Sequence, residues 1–117
     1  MKKIVLCLTA ILLLFTACEK IAEDTPQAIR KLIKRYNKSD KDLQLVVECQ
    51  CNEKIIYWFE ESKKEGHCYY FYVHIFDKEG NLLCSHGTRN LQDNTCIMEY
   101  GDCEETRVIW KKESKLK

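Results

Sequence analysis

The sequence predicts an α+β domain, in which one N-terminal amphipathic helix packs on a four- to five-stranded antiparallel sheet stapled by disulfides. Three observations carry that expectation: a helix-period apolar stripe before residue 40, a succession of β-rich runs separated by turn residues after it, and six cysteines downstream of an export signal. The helix comes first. Thr25-Pro26 supplies an N-cap followed by proline at the first helical position. Ile29, Leu32, Ile33 and Tyr36 then fall at i, i+3, i+4 and i+7, so they form one stripe. Arg30, Lys31, Lys34, Arg35 and Lys38 fill the opposite side, and residues 37–42 end the helix.

The strands follow from period two. Leu43, Leu45, Val47, Cys49 and Cys51 alternate with Gln44, Val46, Glu48 and Gln50, the pattern of a half-buried strand over 43–51. Asn52-Glu53 turns the chain into a β-branched and aromatic run at 55–59, which returns antiparallel, and 61–66 reads as a polar loop. Residues 68–76 are apolar or aromatic on both faces, with Tyr69, Phe71, Val73 and Ile75 on one and Tyr70, Tyr72, His74 and Phe76 on the other. Such a run suits a central strand. Residues 77–81 form a turn with Gly80 where a positive φ is needed, and Leu82-Leu83-Cys84 runs back. Residues 85–105 read as a long loop pinned by disulfides, with weak strand signal at 97–100, and 106–112 closes the chain as a last strand.

The first residues read as a leader rather than as part of the fold. Met1-Lys2-Lys3 is basic and residues 4–17 are apolar and uncharged, which makes an n-region and an h-region. The run falls short of the about 20 apolar residues that span a bilayer, and Glu19-Lys20 ends it. Leu14-Phe15-Thr16-Ala17-Cys18 resembles a lipobox, with Phe15 where leucine is usual. In that motif the cysteine thiol receives a diacylglyceryl group and becomes the first mature residue. The expected organisation is a signal peptide over 1–17, a lipidated Cys18 with a tether over 18–25, one domain over 26–112 and a tail over 113–117. A seven-residue tether reaches at most about 25 Å, which keeps the domain close to its membrane.

Charge and cysteine usage narrow the class. Loss of the two leader lysines takes the formal charge of the 117-residue chain from +1 to −1, which gives nucleic acid binding no support. The basic residues Arg30, Lys31, Lys34, Arg35 and Lys38 are the candidates for contact with anionic headgroups. Of eight cysteines, Cys7 leaves with the leader and Cys18 takes lipid, so Cys49, Cys51, Cys68, Cys84, Cys96 and Cys103 remain. An even number in an oxidising compartment predicts three disulfides. Cys49 and Cys51 lie about 6–7 Å apart along a strand, too far to bond to each other, and fifteen connectivities stay open for the six. A zinc site lacks the paired C-x-x-C knuckles that bend thiolates toward one ion.

Candidate chemistry is sparse. His67 beside Cys68 suggests a Cys-His nucleophile, but each mature cysteine has a prospective disulfide partner. Ser85-His86 is adjacency without a triad, and Asp93, Glu99, Asp102, Glu104 and Glu105 lack calcium-loop spacing. No catalytic residue, metal ligand or cofactor is assigned. The Tyr70, Tyr72, His74, Phe76 face is the candidate partner surface, provided the helix covers the other face and the 85–105 loop leaves this one open.

Three segments together resemble a family of small lipoproteins from Gram-negative gut bacteria to which no activity is assigned. They are Val46-Val47-Glu48-Cys49 through Lys54-Ile55-Ile56-Tyr57-Trp58-Phe59; Cys68 with Asp77-Lys78-Glu79-Gly80-Asn81-Leu82-Leu83-Cys84; and Cys96 with Val108-Ile109-Trp110. The family's loop between the last two matched cysteines is glycine-rich, whereas residues 85–95 here contain only Gly87. The resemblance implies location and fold. The expected role is an outer-membrane lipoprotein of the cell envelope, facing periplasm or exterior, that binds a protein or glycan; the alternatives are an inhibitor of a secreted enzyme or, less favoured, a redox-active or hydrolytic enzyme.

Overall fold

The computed structural model describes residues 20–87 and 95–113. Cys18 and the expected signal peptide lie outside them, as do residues 114–117 of the expected tail. The described chain runs α1 (Gln27–Lys38), β1 (Asp42–Cys51), β2 (Lys54–Glu65), β3 (Cys68–Asp77), β4 (Leu82–Gly87), α2 (Thr95–Tyr100) and β5 (Glu104–Lys111). Its strands form one antiparallel five-stranded sheet in the order β4-β3-β2-β1-β5. The α+β architecture is as expected, although α1 opens the domain rather than the chain.

Helix α1 packs by the expected stripe: Ile29, Ile33 and Tyr36 are buried and Leu32 packs beside them. Its start differs from expectation. Thr25 does not cap the helix; its hydroxyl donates to the Ala22 carbonyl at 2.6 Å, and Pro26 is the N-cap residue, its carbonyl accepting from the Ile29 and Arg30 amides at 3.0 Å. Pro26 has no side-chain acceptor, and no side-chain hydrogen bond caps this end of the helix. At the other end, both the amide and the hydroxyl of Ser39 donate to the Tyr36 carbonyl, at 3.1 and 2.7 Å.

The sheet is buried on both faces, so β1 is not the half-buried strand its alternation suggests. On one face α1 covers Val46, Tyr57, Phe59, Phe76 and Ile109. On the other, Val47, Cys49, Ile56 and Ile75 pack beneath α2 with Cys96, Tyr100 and Cys103. A register shift between Leu43 and Leu45 explains a further difference. Directly opposed residues share a face, so Leu43 opposite Glu61 lies on the α1 side while Leu45 opposite Glu60 lies on the other.

Four stretches of expected loop are regular structure, the shortest being residues 104–105, which begin β5. Residues 61–65 continue β2, because the hairpin turn is the tight Gly66-His67 pair with Gly66 at φ +62°. Residues 85–87 continue β4, and 95–100 form α2 rather than a strand. The 77–81 turn matches expectation: Asp77 Oδ1 accepts from the Glu79 and Asn81 amides at 3.0 and 2.9 Å, and Gly80 adopts φ +86°. A Cβ on Gly80 would lie 3.2 Å from Ala28 Cβ, so the turn also abuts α1. Gly80→Ala is expected to cost about 1–2 kcal/mol, seen as a lower urea midpoint at unchanged slope. An unchanged midpoint would mean that the turn is not held against the helix.

Candidate functional site

The two faces of β3 exchange the roles the sequence suggests. His74 lies opposite Phe59 and Phe76 opposite Tyr57, which places Tyr70, Tyr72, His74 and Phe76 on the α1 side. Phe76 is core, 6% exposed and edge-on to Phe59 with ring centroids 4.9 Å apart, so it offers nothing to a partner. Tyr70 and Tyr72 are half-buried. Tyr72 lies across the edge strand, where a Cβ on Gly87 would meet its ring at 2.5 Å, so only glycine fits. The segment after β4 covers the opposite face, through α2. Sequence parity cannot settle this, since both faces of β3 are apolar.

His74 is the centre of a polar relay just past the last turn of α1. Its Nε2 and Glu61 Oε1 are 2.8 Å apart, and its Nδ1 and Ser85 Oγ are also 2.8 Å apart. An ionised carboxylate only accepts, so Nε2 carries the proton toward Glu61, and in the neutral ring Nδ1 accepts from the Ser85 hydroxyl. Glu61 is 8% exposed, Ser85 is exposed, and the Tyr36 ring lies tilted beside the imidazole, centroids 6.1 Å apart. Burial, and then the Glu61 charge, push the Tyr36 phenol above its usual range. Strand register builds the relay: Ser85 is directly opposite His74, and Glu61 is one diagonal away across β2. Sequence reasoning missed Glu61 by assigning it to a loop, although it continues the inward phase of Tyr57 and Phe59.

A second polar assembly fixes the chain entering α1. Glu48 accepts from Tyr57 at 2.9 Å, from Thr106 at 3.1 Å and from two Arg107 nitrogens at 3.3 Å. Arg107 also donates to the Glu23 carbonyl at 2.7 Å. Burial pulls the Glu48 carboxyl upward, but the hydrogen bonds from Arg107, Tyr57 and Thr106 and the guanidinium charge hold it below the ordinary range. Asp77 is likewise lowered: burial opposes, and the Asn81, Glu79 and Gly80 hydrogen bonds prevail. Carboxyls lowered on folding stabilise above their unfolded values and lose that contribution as pH falls. Thermal stability should therefore hold above about pH 5 and decline below about pH 4, as melting across acid buffers will show.

Of the basic candidates, Lys31, Lys34, Arg35 and Lys38 are exposed. Arg30 is not free for a membrane: it turns back onto the 22–25 segment, donating to the Thr25 carbonyl at 3.2 Å and the Ala22 carbonyl at 3.0 Å. Among the described residues the exposed aromatics are instead Tyr69, at 63%, and Phe71, at 53%. They sit on the arm of the β2–β3 hairpin beyond Ser62 and Tyr72, where pairing with β1 and β4 has ended. Lys64 lies 5.6 Å over the Tyr69 ring.

Two disulfides form, Cys51–Cys103 and Cys84–Cys96, and the expected third does not. Cys49 and Cys68 are free thiols, the first buried and the second exposed. Geometry forbids their union: Cys49 faces Ile56 at one end of β2 and Cys68 faces Glu65 at the other, about 30 Å away at 3.3 Å per residue. Burial, with the charges of Glu105 and Glu48, pushes the Cys49 thiol up to about 11. Among the described residues no group of three His, Cys, Asp or Glu side chains converges to hold a metal ion. The comparisons with known proteins return no matching family model, no matching curated protein and no matching solved structure.

Proposed function

We propose that this chain is an exported lipoprotein, anchored through Cys18, whose disulfide-stapled domain is a binding or accessory module of the cell envelope rather than an enzyme. The observation that carries this reading is the pair of disulfides, which suit an oxidising compartment, downstream of a lipobox-like segment. The resemblance of the hairpins to small lipoproteins supports the same location. Contact with a protein or glycan falls to the Tyr69–Phe71 arm, since exposed aromatic patches mark interaction sites. Anchoring is tested by fractionating cells that express the wild-type chain or Cys18→Ala. The wild type should stay with membranes through a high-salt wash while the variant moves to the soluble envelope fraction; equal retention of both would overturn the reading.

A hydrolytic reading draws on the Ser85–His74–Glu61 relay, which has the polarity of a nucleophile, base and orienting acid. Ser85 stands exposed on the edge strand. On the proposed reading a fluorophosphonate probe leaves Ser85 unlabelled. Labelling that is lost in Ser85→Ala would establish the hydrolase instead.

A further inference from the structure

The chain before α1 is docked on the domain almost as far back as Cys18. Ile21 and Ala22 pack against the α1 core, and the Ala22 amide donates to the Ile109 carbonyl at 2.9 Å. The Glu23 and Asp24 carbonyls accept from Arg107 at 2.7 and 3.4 Å. With Ala22 beside Ile109 and its successors beside Arg107, this segment runs counter to β5, so the residues before it lead toward Lys111, where β5 ends. From the exposed Lys20 only two residues remain to Cys18, a reach of about 7 Å. Lys111 marks one end of the sheet: it is opposite Leu45, the Lys112 amide donates to the Gln44 carbonyl at 3.0 Å, and Lys112 Nζ lies 2.6 Å from Asp42.

The β2–β3 arm projects from that same end. Asp42 is opposite Ser62, and β2 runs on past its pairing with β1 for three residues, about 10 Å, as far as Glu65, opposite Cys68. Tyr69 and Phe71 stand on this arm two residues apart, hence on one face, and both are exposed. Lys64 is opposite Tyr69 with its ammonium over the ring. The acids of this end are offset. Glu65 lies 3.5 Å from Lys63 and Asp42 is held by Lys112, while the exposed Asp40 and Glu113 are outnumbered by the exposed Lys38, Lys41, Lys64 and Lys111.

We infer that this end of the sheet rests on the phospholipid bilayer that holds the Cys18 acyl chains, with the β2–β3 arm in the headgroup layer and the Tyr69 and Phe71 rings at its apolar boundary. Three strand spacings, about 14 Å, separate β3 from β5, so anchor and arm meet the surface together. Aromatic rings favour the boundary between water and hydrocarbon, and lysine stems lie along apolar surface while their ammonium groups stay among phosphates. Near an anionic leaflet each such cation adds about 1 kcal/mol. This orientation rests on the reading of Cys18 as the anchor. It gives the arm to the lipid surface first, and an arm left free for a soluble protein or glycan is the outcome that would overturn it.

The test places a nitroxide on the exposed Cys68 thiol of the purified full-length chain; Cys49 is buried and stays unlabelled in the folded state. The chain is reconstituted into vesicles of phosphatidylcholine and phosphatidylglycerol, and collisions of the label with a water-soluble nickel chelate are read by electron paramagnetic resonance. They should be severalfold fewer at Cys68 than in Lys78→Cys combined with Cys68→Ser, which carries the label at the turn beyond the other end of β3. Tyr69→Ser combined with Phe71→Ser should restore nickel access at Cys68 while the melting curve stays that of the wild type. A Cys68 label as open to nickel as one at position 78, or protection that survives the loss of both rings, would overturn the orientation. Flotation of the same vesicles reports the anchor separately: a chain that floats with an open Cys68 label keeps its anchor and loses this orientation, whereas a chain that does not float loses both.

Discussion

Replacing Cys51 and Cys103 together by serine is expected to lower the melting temperature by about 15–30 °C. This bond closes the longer loop, 52 residues of separation against 12 for Cys84–Cys96. Chain-entropy scaling assigns about 4 kcal/mol to the first and about 3 kcal/mol to the second. For a domain of this size 1 kcal/mol is about 4–8 °C, and total stability is about 5–15 kcal/mol. The difference has a structural meaning as well as an entropic one. Cys51 ends β1 and Cys103 precedes β5, so the bond brings together the strands that place β5 at the sheet edge. Cys84–Cys96 holds α2 over the second face, and its loss should expose that face and cost less. Calorimetry of the two double-serine variants decides the order; equal shifts, or a larger shift for Cys84→Ser with Cys96→Ser, would contradict it.

Phe59→Ala is expected to cost about 3–5 kcal/mol, enough to leave the domain marginal. Phe59 is fully buried at the centre of the α1 face, 4.9 Å from the Phe76 ring and 5.6 Å from Tyr36. Truncation removes apolar burial and leaves a cavity between a helix and a sheet, neither of which can collapse into it freely. Phe71→Ala is the internal control: the same change at a side chain 53% exposed should stay within about 0.5 kcal/mol. Chemical denaturation of both variants measures the contrast. Similar losses would mean that Phe71 is packed as tightly as Phe59 and would contradict the contrast.

These two expectations also show which levels of the structure were legible in the residues. Helix α1, the turns at 52–53 and 77–81 and the interior strand β3 are encoded locally, by stripe, turn chemistry and composition; the central strand is β2. The ends of elements are not: Glu61 to Glu65 are polar because the arm leaves the sheet, and polarity alone reads as loop. Which face of β3 meets α1 depends on long-range packing, as does the bulge that sends Leu43 and Leu45 to opposite sides. The relay of Ser85, His74 and Glu61 is assembled from three separate strands and leaves no motif along the chain. Cysteine parity misled for the same reason, since an even count says nothing of the distance between Cys49 and Cys68.

One measurement bears at once on the anchor, the two disulfides and the two thiols of unequal access. That measurement is the intact mass of the protein from its own membrane, alkylated without reduction, first folded and then in denaturant. The expected chain begins at acylated Cys18, with one alkylation in the folded state at Cys68 and a second at Cys49 only on unfolding. An unacylated amino terminus, or a chain that takes up no alkylating agent in denaturant because a third disulfide is present, would contradict it.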